Sequence, residues 1–293
     1  MTKPRIAIGP VPRESTVRAV RAAGGEVVPA DENASALVWL DPVSMPGLRA
    51  ALAATPAARW VQLPFAGVER VAAAGLLDPA RVWTCAKGAY AEPVAEHALM
   101  LAMAGLRFLP ERIAARTWGK AAGASLYDQP VTILGGGGIA ASLLSLLAAM
   151  RAKVTVVRRQ PGDLPGASRT LQTSQLAQAL PEALVVFLAL ALTPATTHLI
   201  GAPELAAMRR DAWLVNVARG PIVDTDALVA ALRGQVIGGA ALDVTDPEPL
   251  PDGHPLWGLD NCIITPHTAD TDEMVEHMLN LRVQHNVAAF AAG

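Results

Sequence analysis

The sequence has 293 residues, 52% of them hydrophobic and 17% charged. That balance excludes a disordered chain and leaves ample volume for buried cores. Its formal charge of −2 excludes the basic stripe of a dedicated nucleic-acid binder. The longest apolar stretch, Ala183 to Leu192, is too short to span a membrane. The opening MTKPRIAIGP has an apolar run too short for a signal peptide, so a cytoplasmic setting is expected. Cys85 and Cys262 sit in apolar strand-like runs and read as buried free thiols. No Cys/His spacing suggests a metal.

Short apolar runs alternate with helix-like segments along almost the whole chain, the pattern of parallel α/β structure. In the first hundred residues the strand candidates are 5–8, 36–40, 60–63 and 82–85, separated by amphipathic stretches such as 14–23 and 46–54. A long helical pattern follows over 93–116, with Pro110 as a kink or break. From Pro130 a second series begins: strand 131–134, helix 139–150, and strands 154–157, 184–190 and 212–217. Helix 225–233, strands 237–243 and 262–265, and a last helix 272–290 complete it. The stretches 184–190 and 237–243 are continuously apolar or small, as strands covered on both faces are. The simplest arrangement is two α/β domains, 1–95 and 96–269, with the C-terminal segment 270–293 returning to complete the first.

The stretch VTILGGGGIA, 131–140, is a strand running into a glycine turn that opens a helix, the context a pyrophosphate loop requires. Gly135 permits the tight turn, Gly137 lets backbone N–H groups approach the phosphates, and the small Ala140 lets helix and strand pack closely. Gly138 and Ile139 fall at the helix N-terminus, whose partial positive charge favours the anion. The second strand ends 23 residues after Gly135, in Arg158-Arg159. An NAD site carries an acid there, against the ribose hydroxyls. Two guanidinium groups suit the 2′-phosphate of NADP instead.

Three further strand ends carry reactive side chains. WLVNVARGPIVD places Arg219 just past one of them, with Ala218 before it. ALDVTDPEPLPDGHPLW places Asp243 at the next and Glu248 in a proline-rich loop, and NCIITPHTAD places His267 beyond a third. In open parallel sheets ligands collect outside the carboxyl ends of strands. Arg219 can hold a substrate carboxylate and polarise a ketone with its forked donor. His267 can protonate the nascent alkoxide, and Glu248 can orient the imidazole. His97, His198, His254, His277 and His285 read as helical or loop positions without a partner set. Phe65 and Trp257 read equally well as pocket or packing residues.

Together these stretches resemble the D-isomer-specific 2-hydroxyacid dehydrogenases, including glyoxylate/hydroxypyruvate reductases, over roughly 60–285. The resemblance implies two Rossmann-like or flavodoxin-like parallel-sheet domains with an active-site cleft between them. It implies Arg219, Glu248 and His267 as the catalytic set, and Asp243 as the acid that contacts the nicotinamide carboxamide. From LPFAGVE it implies Ala66 and Gly67 as donors to the substrate carboxylate, and from CAKGAYAEPVAEHAL it implies Lys87 and Gly88 as cleft residues. It also implies a homodimer paired through the long helix, about 96–107.

The sequence departs from the family pattern at several points. Asp270 stands where a small residue is usual after HTA, Ala191 replaces a proline before TPAT, and Arg151 replaces a helix-ending glycine. The expectation is an NADP-preferring reductase of a small 2-oxo acid, with NAD a possible second cofactor and no nucleic-acid or membrane partner. The rival is a nucleotide-binding regulator on the same fold, which has no need of an acid catalyst.

Overall fold

The computed structural model describes residues 3–160 and 162–293. The chain divides into two compact units, one running up to Tyr90 and resuming over Thr271–Gly293, the other spanning Ala91–Asp270. The expected boundaries were 95/96 and 269/270. The break falls earlier because the helix that begins at Ala91 buries Val94, Ala95, Ala98 and Leu101 within the second unit from its first turn onward.

The first unit is a parallel sheet of strands β1 (Arg5–Gly9), β2 (Glu26–Val28), β3 (Ala36–Trp39), β4 (Trp60–Gln62) and β5 (Val82–Thr84), ordered β2-β1-β3-β4-β5. This is the flavodoxin-like order. Helices α1 (Glu14–Ala22), α2 (Met45–Ala54) and α3 (Glu69–Ala73) connect the strands. The C-terminal helix, Asp272–Ala292, lies along α1, where Arg13 pairs with Asp272, Ser15 with Glu276 and Thr16 with Asn280. Its Leu279, Val283 and Val287 enter the same core as Ile6, Val20 and Val38.

The second unit opens with α4 (Ala91–Leu106) and α5 (Leu109–Ala114). The single long helix expected over 93–116 is therefore two. The break comes at Phe108, whose φ of 52° is left-handed, and Pro110 falls in the first turn of α5, where its missing N–H costs nothing. The sheet follows, with β6 (Pro130–Leu134), β7 (Lys153–Arg158), β8 (Arg169–Gln172), β9 (Val185–Leu188), β10 (Trp213–Asn216), β11 (Gly239–Leu242) and β12 (Cys262–Ile264). All pairs are parallel, in the order β12-β11-β10-β9-β6-β7-β8. Helices α6 (Gly138–Ala148), α7 (Ala202–Ala207) and α8 (Thr225–Arg233) complete the unit. The strand order reverses between β6 and β9, the crevice where open sheets of this kind take ligands.

The apolar run expected as a strand over 184–190 pairs only to Leu188, because its partner Leu134 is the last residue of β6 before the glycine turn. Strands β2 and β8 gave no apolar signal: one is three residues long, and the other, RTLQ, buries Leu171 alone. Trp213 of β10 packs where Gly105 of α4 and Gly239 of β11 leave room. A β-carbon on either would lie within 2.5 Å of the indole. Cys85 and Cys262 are free thiols, as expected, but half-buried rather than buried. Desolvation still pushes the Cys262 thiol up to about 12.

Candidate active site

The glycine turn is built by close approach. Gly135 has a φ of 121°, and a β-carbon there would stand 2.1 Å from the carbonyl oxygen of Ala189, just past β9. Only glycine fits this position. Gly137 caps α6 with open space where a β-carbon would stand, and Gly138 and Ile139 form the first turn. Arg158, the last residue of β7, lays its side chain across this turn. Its Cδ and Nε lie 3.1 and 3.2 Å from where a Gly136 β-carbon would be. Its Nη2 donates to Gln160 Oε1 at 3.3 Å, and Arg159 beside it is exposed. Backbone donors, an open glycine and a guanidinium over the same turn are the donor set that a phosphorylated dinucleotide requires.

Arg219 follows β10 in extended backbone. Asn216, buried at the end of β10, pins the turn: its Oδ1 accepts from Ala218 N and its Nδ2 donates to Arg219 O, both at 3.0 Å. Arg219 Nη1 donates to the carbonyl of the buried Ala218 at 2.7 Å. Gly220 is forced by the neighbouring loop, since a β-carbon there would lie 1.9 Å from Thr245 O. The arginine loop and the loop leading to Glu248 thus meet backbone to backbone. Thr225 Oγ1 adds a hydrogen bond to Asp246 O at 2.9 Å.

His267 and Glu248 come together as the sequence predicts, with His267 Nδ1 2.8 Å from Glu248 Oε1 and both side chains half-exposed. A carboxylate only accepts, so Nδ1 carries the proton and Nε2 is left to exchange one. The loop that carries His267 is folded around Asp243. Three successive amides point at this one residue: His267 N at its carbonyl oxygen (2.8 Å), Thr268 N at Oδ1 (2.9 Å) and Ala269 N at Oδ2 (3.1 Å). The left-handed φ of 50° at His267 makes this concave anion cradle possible. Asp243 is only 2% exposed, and burial pushes its carboxyl up in pKa. Hydrogen bonds from His97, Thr265, Thr268 and Ala269 outweigh that and hold it below the usual carboxylate range.

In the first unit, Ala66 and Gly67 lie in the loop after β4, and Lys87 and Gly88 in the loop after β5. Ala86 N donates to Phe65 O at 2.9 Å and ties the two loops together at the carboxyl edge of that sheet. Arg282 Nη2 donates to Lys87 O at 3.1 Å, and Gly88 has a φ of 92°. Phe65 packs against the core. In the second unit, Trp257 is half-exposed and donates to Pro251 O.

Two residues were not assigned from sequence. Asn216 sits inside the quoted stretch NVARG, and a polar residue closing an apolar strand was the available signal. His97 is a correction: far from lacking partners, its Nε2 lies 3.0 Å from Thr265 Oγ1 and 3.3 Å from Asp243 Oδ1. A partner 168 residues away leaves no local signal. His254, similarly, accepts from Leu256 N through Nδ1.

Residues 97–269 match the family model described as D-isomer specific 2-hydroxyacid dehydrogenase, NAD binding domain. The chain belongs to this family. An uncharacterized protein of Corynebacterium melassecola is 39% identical over 241 residues, 80% of this chain and 79% of its own length. A glyoxylate reductase of Thermofilum pendens is 35% identical over 170 residues, 57% of this chain and only 50% of that enzyme. The structure of a D-isomer specific 2-hydroxyacid dehydrogenase from Xanthobacter autotrophicus Py2, in complex with NADPH and MES, is 28% identical. It superposes with a TM-score of 0.85 over 100% of this chain and 96% of its own. In this chain the residues matched to the family's NAD-binding domain, 97–269, fall within the second unit.

Proposed function

We propose that the protein is an NADP-preferring reductase that converts a small 2-oxo acid, glyoxylate or hydroxypyruvate in type, to the D-2-hydroxy acid. The observation that carries this reading is the His267–Glu248 pair, with Nδ1 engaged and Nε2 left for proton exchange. A reduced nicotinamide held there would supply the hydride. His267 delivers the accompanying proton from Nε2 to the carbonyl oxygen, and Glu248 stabilises the imidazolium before that transfer. Arg219 binds the substrate carboxylate and polarises the ketone. Gly135, Gly137, Gly138 and Ile139 present backbone to the pyrophosphate, and Ala218 lies against the cofactor. Arg158 and Arg159 take the 2′-phosphate. Asp243 Oδ2, with Ala269 N as its one hydrogen-bond donor in the described structure, takes the nicotinamide carboxamide. Ala66 and Gly67 offer backbone donors to the substrate carboxylate, and Lys87 and Gly88 line the cleft.

The rival reading, a nucleotide-binding regulator, gives no reason for an oriented acid–base pair. We also propose a homodimer paired through α4, and a cytoplasmic setting. Among the described residues no helix is long and apolar enough to cross a membrane. The deciding experiment follows NADPH and NADH absorbance with glyoxylate, hydroxypyruvate and pyruvate. Turnover with at least one acid is expected. Tight NADPH binding without turnover of any would establish the regulator instead.

A further inference from the structure

We propose that His97, on α4, is a positioning residue for the acid–base pair: its ring completes the hydrogen-bond shell of Asp243 and so fixes the loop that presents His267. The proposal rests on the reading of His267 as the acid, and it concerns a residue to which that reading assigns no contact with substrate or cofactor.

The direction of each bond in the cluster follows from proton count. Thr265 has one hydroxyl proton, and at 2.6 Å from Asp243 Oδ1 that proton is committed to the carboxylate. Thr265 Oγ1 therefore acts as acceptor toward His97, and the proton between them belongs to His97 Nε2 at 3.0 Å. The same N–H also faces Asp243 Oδ1 at 3.3 Å. His97 thus supplies the donor that orients the threonine hydroxyl and adds to the donors around the carboxylate. The His97 side chain is 13% exposed, so water does not readily replace it.

The consequence reaches His267 through the backbone. Asp243 is the hub to which the amides of His267, Thr268 and Ala269 are all bonded. Removing the His97 N–H takes the donor from Thr265 Oγ1 and leaves Asp243 Oδ1 with Thr265 and Thr268 alone as donors. Both weaken the cradle that holds His267 in its left-handed conformation. A loop displaced by a fraction of an ångström misaims Nε2, while Glu248 still holds Nδ1. Helix α4 does not need His97 for its own seating, since Val94, Ala95, Ala98, Leu101 and Ala102 bury that face. The role is therefore separable from helix packing.

The test compares wild-type protein with His97→Leu, which fills the space without a donor, and with His97→Gln, which returns an amide donor. Hydrogen-exchange mass spectrometry on the cofactor-free protein reads the peptide spanning 265–270. We expect faster exchange there in His97→Leu, unchanged exchange in the β6 and β9 peptides, and recovery in His97→Gln. In steady state, kcat should fall about 10- to 100-fold in His97→Leu with KM within threefold, and return most of the way in His97→Gln. Unchanged exchange at 265–270 in His97→Leu overturns the proposal. So does acceleration spread over the whole second unit, or a loss that glutamine does not restore. Should the wild type turn over no 2-oxo acid while the exchange pattern appears as expected, the proposed function falls and the positioning of the loop by His97 stands.

Discussion

His267 holds a backbone conformation that costs a residue with a β-carbon of order 1–3 kcal/mol, and under the proposed function it does so where a proton is aimed. The cost is offset by the amides that converge on Asp243, so geometry at the acid is set from below by a carboxylate and from the side by Glu248. Replacing His267 with Gln keeps a polar side chain but removes the titrating nitrogen. Reduction should slow by ~10²–10⁴-fold with NADPH binding retained, which steady-state rates and cofactor fluorescence will report. Arg158 offers a sharper test, because its side chain already lies over the phosphate turn. NADPH should be preferred at least tenfold in kcat/KM, equivalent to about 1.4 kcal/mol, and Arg158→Asp should erase or invert the preference. Equal efficiency with both cofactors in the unmodified protein would remove Arg158 as the selector. Asp243 gives a pH dependence. Its folded pKa is depressed, so its contribution to stability is present above the unfolded value, near 3.9, and is lost as pH falls through the folded one. Melting temperature should therefore drop as pH falls below about 4, less steeply in Asp243→Asn.

Loops and strand ends show where sequence was readable. The positions of Arg219, His267, the glycine turn and Arg158 at strand ends were legible because each lies within a few residues of an apolar run that forms a strand. Strands β2 and β8 were not, since each is short and buries a single apolar residue, Val28 and Leu171. Contacts of long separation, such as His97 with Thr265 or Gly220 with Thr245, leave no local pattern at all. Gly220 tests the last of these. Alanine there must push the arginine turn off the Thr245 carbonyl, at about 1–3 kcal/mol of stability, with a parallel loss of kcat/KM. A Gly220→Ala protein that melts and turns over like wild type would show that the loops yield freely. Arg151 tests a helix end. It occupies the left-handed position after α6 that glycine usually takes, held by a two-pronged pair with Asp128 at 2.9 and 2.7 Å and stacked on Tyr127. Calorimetry should find Arg151→Ala less stable than Arg151→Gly, because alanine keeps the strain and loses the partners.

At the scale of the whole molecule, α4 has two apolar faces. One packs into the second unit, and the other leaves Met100 and Met103 48% and 43% exposed, continuing into Phe108 and Leu109. Exposed apolar residues in a contiguous run mark an association surface. The proposed homodimer should appear as twice the chain mass in light scattering, and Met100→Glu with Met103→Glu should reduce it to a monomer. A monomeric wild type at micromolar concentration would overturn the pairing. The first unit is made from both ends of the chain: β1 to β5 come first, while Leu279, Val283 and Val287 arrive only with the C-terminal helix. On the ribosome, the strands of that sheet are made early but cannot close their core until residues 91–270 have been translated. At roughly 5–20 residues per second, that interval is on the order of ten seconds or more. The dinucleotide-binding unit can therefore fold first, while the earlier-made sheet waits with an apolar face uncovered.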